Sequence, residues 1–82
     1  MKIRIIYCVV WNYSSVAASL AEKLSSAYRL QLQEIILQPS DGGKFEVLAD
    51  DSLLFSKKAT GRFPEAEEVE KLVGASLVKN WN

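Results

Sequence analysis

The chain contains no histidine and only one cysteine, Cys8, among its 82 residues. Histidine is the commonest metal ligand and the side chain whose charge changes most readily near neutral pH, and a lone thiolate cannot complete a zinc set. Asp41, Asp50 and Asp51 are the remaining candidates for a carboxylate site, and they sit in stretches that read as turns. No metal is therefore expected. A single cysteine also cannot close an internal disulfide, so the fold has to hold without that staple.

Net charge is missing too, since ten lysines and arginines offset ten aspartates and glutamates. That balance gives no electrostatic pull toward nucleic acid or an anionic membrane, and neither is expected as a partner. Long hydrophobic runs are absent as well. The opening Met1-Lys2-Ile3-Arg4-Ile5-Ile6-Tyr7 is broken by charge and is too short for a signal peptide or a spanning helix. A soluble, cytoplasmic protein is the expectation. No repeat, low-complexity stretch or linker divides the chain, and Gly42-Gly43 lacks the rest of a phosphate-loop pattern.

What is present is an apolar content of 49%, sufficient for one hydrophobic core in a chain too short for two. Residues 1–82 are read as one domain. The β-branched and aromatic run at residues 2–8 predicts a strand. Ser14 or Ser15 is placed to cap a helix over roughly 15–28, where Val16, Ala17, Leu20, Ala21, Leu24, Ala27 and Tyr28 recur at helical spacing. Leu30, Leu32, Ile35 and Leu37 point to a second strand, stopped by Pro39-Ser40-Asp41-Gly42-Gly43.

Phe45, Val47 and Ala49 alternate with polar residues as a third strand, and Leu53-Leu54-Phe55-Ser56 follows as a fourth across an Asp50-Asp51-Ser52 turn. Residues 57–63 read as a polar loop. Pro64 and the acidic residues after it suit the start of a last helix carrying Val69, Leu72, Val73 and Leu77, with Gly74 weakening its middle. Trp81 either folds back as a lid on the core or stands exposed. The order is β-α-β-β-β-α: an α/β fold with a mixed four-stranded sheet packed by two helices in two or three layers. Cys8 then lies beyond the carboxyl end of the first strand, where open α/β sheets commonly place their ligands.

Tyr7-Cys8-Val9-Val10-Trp11-Asn12-Tyr13, Gly42-Gly43-Lys44-Phe45-Glu46-Val47, Phe55-Ser56-Lys57-Lys58 and Gly61-Arg62-Phe63-Pro64 together resemble the selenoprotein W-related family, a thioredoxin-like group also called Rdx proteins. The segments follow the family order and span nearly the whole chain. The resemblance implies a thioredoxin-like fold and redox exchange with thiol proteins or glutathione. It also implies a Cys-x-x-Cys or Cys-x-x-selenocysteine motif between the first strand and first helix. Cys8 falls on the motif's first position and Trp11 on its second, reactive position. The UGA codon of selenocysteine is one base from the tryptophan codon UGG, so Trp11 fits a substituted or differently decoded selenocysteine.

A cysteine near a helix N-terminus gains thiolate character from free amides and the helix dipole. Cys8 is accordingly the catalytic candidate, with burial as a small hydrophobe as the competing reading. Trp11 cannot form a thiolate or a disulfide. A mixed disulfide formed at Cys8 would lack an internal group to resolve it, so little dithiol or selenol exchange is expected. Thioredoxin-like oxidoreductase activity is thus left open. The alternative is a noncatalytic protein-interaction module using the Trp11 loop. Val9, Val10, Tyr13 and Phe63 are the candidate apolar contacts, and Lys57, Lys58 and Arg62 are either a site for an anionic thiol such as glutathione or a solvated face. No cofactor beyond glutathione is implied.

Overall fold

The computed structural model describes residues 1–79. Trp81, and with it the choice between lid and exposed tail, lies outside the described residues. Strand β1 (Lys2–Cys8) is followed by helix α1 (Ser14–Tyr28), a 3-10 turn (Arg29–Gln31), β2 (Glu34–Ser40), β3 (Phe45–Ala49), β4 (Ser52–Ser56), the short helix α2 (Lys57–Thr60) and α3 (Glu68–Lys79). The strands lie in the order β2-β1-β3-β4. β1 runs parallel to β2 and antiparallel to β3, which is antiparallel to β4, so the sheet is mixed and β1 is central.

Alternation decides which face is covered. Ile3 and Ile5 of β1, Phe45, Val47 and Ala49 of β3 and Phe55 of β4 are buried in one cluster with Ala17, Leu20 and Leu24 of α1 and Val69 and Val73 of α3. Each Val, Leu, Ile or Phe side chain so withdrawn from water contributes about 1.5–3 kcal/mol, and the two alanines less. Both long helices therefore cover the same sheet face, and the arrangement has two layers. Tyr28 joins the helices: its hydroxyl donates to the Glu70 carbonyl oxygen at 2.6 Å. Gly74 stands beside that hydroxyl, where a Cβ would meet the Tyr28 oxygen at 2.5 Å. The glycine that weakens α3 in isolation is what lets the tyrosine in.

Several local expectations need correction. The second strand starts later than the leucine pattern predicts. Leu30 is almost wholly exposed on the 3-10 turn, while Leu32 is buried and the strand begins at Glu34. Nor does Pro39 stop the strand; it pairs with Tyr7 in the ladder. β2 is an edge strand with one hydrogen-bonding side unpaired, the setting in which proline is tolerated. Ser14 and Ser15 do not cap α1, whose N-cap is Tyr13 without a side-chain bond; Ser14 Oγ instead donates to Asn12 Oδ1 at 3.3 Å.

The polar loop after β4 contains α2, capped by Ser56 Oγ accepting from the Ala59 amide and closed by Gly61 at φ 76°. Pro64 is not the first residue of the last helix, which begins at Glu68 after a turn in which Glu67 takes φ 66°. The β3–β4 hairpin turns on Asp50 and Asp51, both at positive φ, as a two-residue primed turn requires. Asp50 Oδ1 also accepts from the Lys2 amide at 2.8 Å and ties the hairpin to the start of β1.

Candidate functional site

Cys8 ends β1 and is fully buried. Its amide donates to the Lys44 carbonyl at 2.8 Å, and the next amide, of Val9, donates to the Ser40 carbonyl at 3.0 Å. The end of the central strand is thus clamped between the end of β2 and the start of β3. The chain then turns sharply: Asn12 donates to the Val9 carbonyl and Tyr13 to the Cys8 carbonyl, both at 3.0 Å, with Asn12 at φ 58°. Asparagine is one of the few side chains that take this left-handed conformation readily.

This turn folds position 11 back onto the sulfur. The Trp11 amide donates to Cys8 Sγ at 3.4 Å. The turn thus brings the backbone of position 11 to the Cys8 sulfur, while the side chain at that position is an indole. Trp11 is 61% exposed, and Val9 and Val10 beside it are exposed as well. The indole rests on Gly43, where a Cβ would stand 2.8 Å from the ring and where φ is 72°. Glycine is required there on both counts.

An aromatic row runs away from the loop. Trp11 meets Tyr13 edge-on with centroids 6.1 Å apart, Tyr13 meets Phe63 at 4.7 Å, and Phe63 meets the buried Phe45 at 5.4 Å. Lys57 Nζ stands 5.7 Å from the Tyr13 ring centre and 5.3 Å from that of Phe63, within the range of a cation–π contact. The row joins the exposed loop to the core, so Tyr13 and Phe63 are positioned rather than free.

The basic cluster does not act as a unit. Arg62 is taken up by Glu68 in a fork, with Nη1 to Oε1 at 2.7 Å and Nη2 to Oε2 at 3.0 Å, and its guanidinium carbon lies 5.8 Å from the Phe55 ring centre. The Arg62 hydrogen bond and the Glu65 amide together hold the Glu68 carboxyl down to about 2. Arg62 is raised in turn, chiefly by the same hydrogen bond. Of the three cations expected to meet an anion, Lys57 lies over aromatic rings, Arg62 is neutralised, and Lys58 is exposed.

The structure therefore brings together Cys8, Val9, Val10, Trp11 and Tyr13, extends them through Phe63 and Lys57, and separates Arg62 from the group. It overturns the expectation of an accessible Cys8; the thiol is buried in the manner of a small core hydrophobe. Trp11, by contrast, is exposed. Two contributors went unpredicted: Gly43 as the seat of the indole, and Glu68 as the partner of Arg62. The paired glycines before β3 were the available signal for the first, since they did more than end a strand. Among the described residues no group of potential ligands could hold a metal ion, and no helix is long and apolar enough to cross a membrane.

A mixed four-stranded sheet flanked by helices, with a cysteine at the end of the first strand ahead of the first helix, defines a thioredoxin-like α/β protein. The chain belongs to the Rdx family, whose model matches residues 2–75. It superposes with a TM-score of 0.89 on a selenoprotein W-related protein from Vibrio cholerae, at 28% identity over 93% of this chain and 95% of that one. A protein from Bordetella parapertussis gives a TM-score of 0.88 at 31% identity over 92% and 95% of the two chains. No curated protein matches the chain.

Proposed function

We propose that this protein is a selenoprotein W-like member of the thiol-redox class that performs no dithiol or selenol exchange of its own in this form. The observation that carries the reading is the pairing of a fully buried Cys8 with an indole at the position whose backbone touches its sulfur. In exchange, one thiolate attacks a partner disulfide, forms a mixed disulfide and releases the partner's other sulfur as a thiolate. A second thiolate or selenolate must then displace the first partner sulfur. Burial of Cys8 impedes the first step, and Trp11 cannot perform the second. Any mixed disulfide at Cys8 waits for an external thiol such as glutathione, in the cytoplasmic setting expected from the sequence.

Incubation of the native protein with glutathione disulfide, followed by intact mass, tests this reading. Cys8 is expected to remain unmodified on a timescale in which the denatured chain acquires glutathione. Rapid glutathionylation of the native form would overturn it.

One observation favours a second reading, a noncatalytic interaction module. Val9, Val10 and Trp11 form an exposed apolar tip anchored through Tyr13 and Phe63 to the core. Rigid, exposed aromatic anchors are the usual carriers of protein-binding energy. A thiol-protein partner held this way keeps its affinity on Cys8→Ser and loses it on Trp11→Ala; equal affinity of both variants would remove the tip from the account.

A further inference from the structure

The turn that seats the indole also carries a reactive pair. Asp41 and Gly42 follow the end of β2, and both are exposed. An aspartyl side chain can close on the nitrogen of the next residue to form a five-membered cyclic imide, and glycine, having no side chain, hinders that closure least. Gly42 stands at φ 70° with nothing within 4 Å of where a Cβ would lie, so that side of the residue is open. Among the described residues no hydrogen bond occupies the Gly42 amide, and no hydrogen bond or salt bridge holds the Asp41 carboxylate. Both reacting groups are free.

The other candidates are obstructed. Asp50 Oδ1 accepts from the Lys2 amide at 2.8 Å, and the residue after it, Asp51, carries a side chain. Asp51 precedes Ser52, which lies in β4 paired with Ala49. Asn12, whose side chain could close the same ring, is followed by Tyr13, whose amide donates to the Cys8 carbonyl at 3.0 Å. Of the chain's three aspartates, only Asp41 precedes a glycine.

We propose that Asp41 is a site of spontaneous isoaspartate formation and that the product releases Trp11 from its seat. The Gly42 nitrogen gives up its proton and bonds to Asp41 Cγ while the carboxyl oxygen leaves as water. A water molecule then opens the imide. Attack at Cγ restores aspartate, whereas attack at the main-chain carbonyl carbon breaks its bond to nitrogen and leaves the chain running through Cβ and Cγ, with the former main-chain carbon as a carboxylate. One water leaves and one enters, so the mass is unchanged and nothing is oxidised or reduced.

The position gives this change a consequence. Asp41, Gly42 and Gly43 bridge two anchored residues: Ser40, whose carbonyl accepts from the Val9 amide at 3.0 Å, and Lys44, whose carbonyl accepts from the Cys8 amide at 2.8 Å. The isoaspartyl link adds one main-chain atom to that bridge, and Gly43 within it is the residue on which the indole rests. A longer bridge between fixed ends has to move Gly43. Trp11 then loses its support, and the Cys8 end of β1 loses part of its clamp.

The test holds the native protein and the urea-unfolded chain side by side at neutral pH and physiological temperature. Peptides are then analysed by electron-transfer fragmentation, which distinguishes isoaspartyl from aspartyl linkages of equal mass. Isoaspartate is expected at Asp41 of the native protein at a rate comparable to that in the unfolded chain, and not at Asp50 or Asp51. Asp41→Glu, whose ring would be six-membered, is expected to abolish it, and Asp41→Asn, which expels ammonia in place of water, to reach the same product several-fold faster. In a Trp81→Phe background the isolated isoaspartyl form is expected to show red-shifted Trp11 emission and several-fold faster alkylation of Cys8, neither of which appears in Asp41→Glu held for the same time. A native rate far below that of the unfolded chain, isoaspartate spread over all three aspartates, or an isoaspartyl form whose emission and alkylation match the fresh protein would overturn the proposal.

Discussion

Replacing Gly74 with alanine sets two effects of opposite sign against each other. In an isolated helix the change is stabilising by about 1 kcal/mol, because glycine is the poorer helix former. In this fold the new Cβ would stand 2.5 Å from the Tyr28 oxygen. The hydroxyl cannot simply swing away, since it donates to the Glu70 carbonyl at 2.6 Å. Moving it forfeits that hydrogen bond, worth about 1 kcal/mol, and forces repacking of a half-buried ring at about 1–3 kcal/mol. After the propensity gain, Gly74→Ala should destabilise by about 1–3 kcal/mol, a fall in Tm of roughly 4–8 °C per kcal/mol in a domain of this size.

Urea denaturation and thermal melts read the effect, and a second variant isolates its cause. With Tyr28→Phe in place, the alanine Cβ would find its nearest ring atom, Cζ, at 3.5 Å, an ordinary contact. In that background Gly74→Ala should be neutral or mildly stabilising, so the two substitutions are strongly non-additive. If Gly74→Ala raised stability in the wild-type background by about the propensity difference, or if the pair were additive, the Tyr28 oxygen would not be the obstacle.

Gly43→Ala should unseat the indole from the turn before β3, read as a change in tryptophan emission and faster labelling of Cys8; unchanged emission counts against that seat. Glu67→Gly relieves a left-handed residue and should stabilise by about 1 kcal/mol in urea, whereas Asp51→Pro, which cannot reach positive φ, should destabilise the hairpin. Glu68 has a carboxyl held below its ordinary value of 4.5, to about 2, so its contribution is fully present above about 4.5 and is lost as pH falls toward 2. An acid titration of stability should therefore lose part of its slope in that window in Arg62→Gln, and an unchanged slope would remove the ion pair from the account.

The central architecture was legible because it rests on patterns the chain states locally. The run at Lys2–Cys8, the helical spacing through Tyr28 and the alternation at Phe45–Ala49 each correspond to an observed element with close boundaries. Misreadings fell where tertiary context overrides local preference. Pro39 is a strand breaker in general and a strand residue here because it lies on an edge, and Leu30 continues an apolar pattern that the 3-10 turn ejects into solvent. Gly74 reads as a weakness until Tyr28, far away in sequence, is placed against it.

The candidate site shows the same division. The spacing from Cys8 to Trp11 was visible in the chain and proves to put the Trp11 amide against the sulfur. Burial of that sulfur was not visible, because it follows from the packed fold, in which the end of β1 is tied to Ser40 of β2 and to Lys44 just ahead of β3. Likewise Arg62 could be counted as a free cation only until Glu68 was placed beside it.

On the proposed reading, the loop keeps a backbone able to set a second sulfur at position 11 beside a buried Cys8, with an indole there instead. Redox titration of Trp11→Cys in glutathione buffers, with thiols trapped and counted by intact mass, tests it most directly. The variant should interconvert reversibly between a two-thiol form and a form lighter by two hydrogens carrying a Cys8–position 11 disulfide, while the unsubstituted protein forms no such species. A variant that keeps both thiols under oxidising conditions, or forms only glutathione adducts, would contradict the claim.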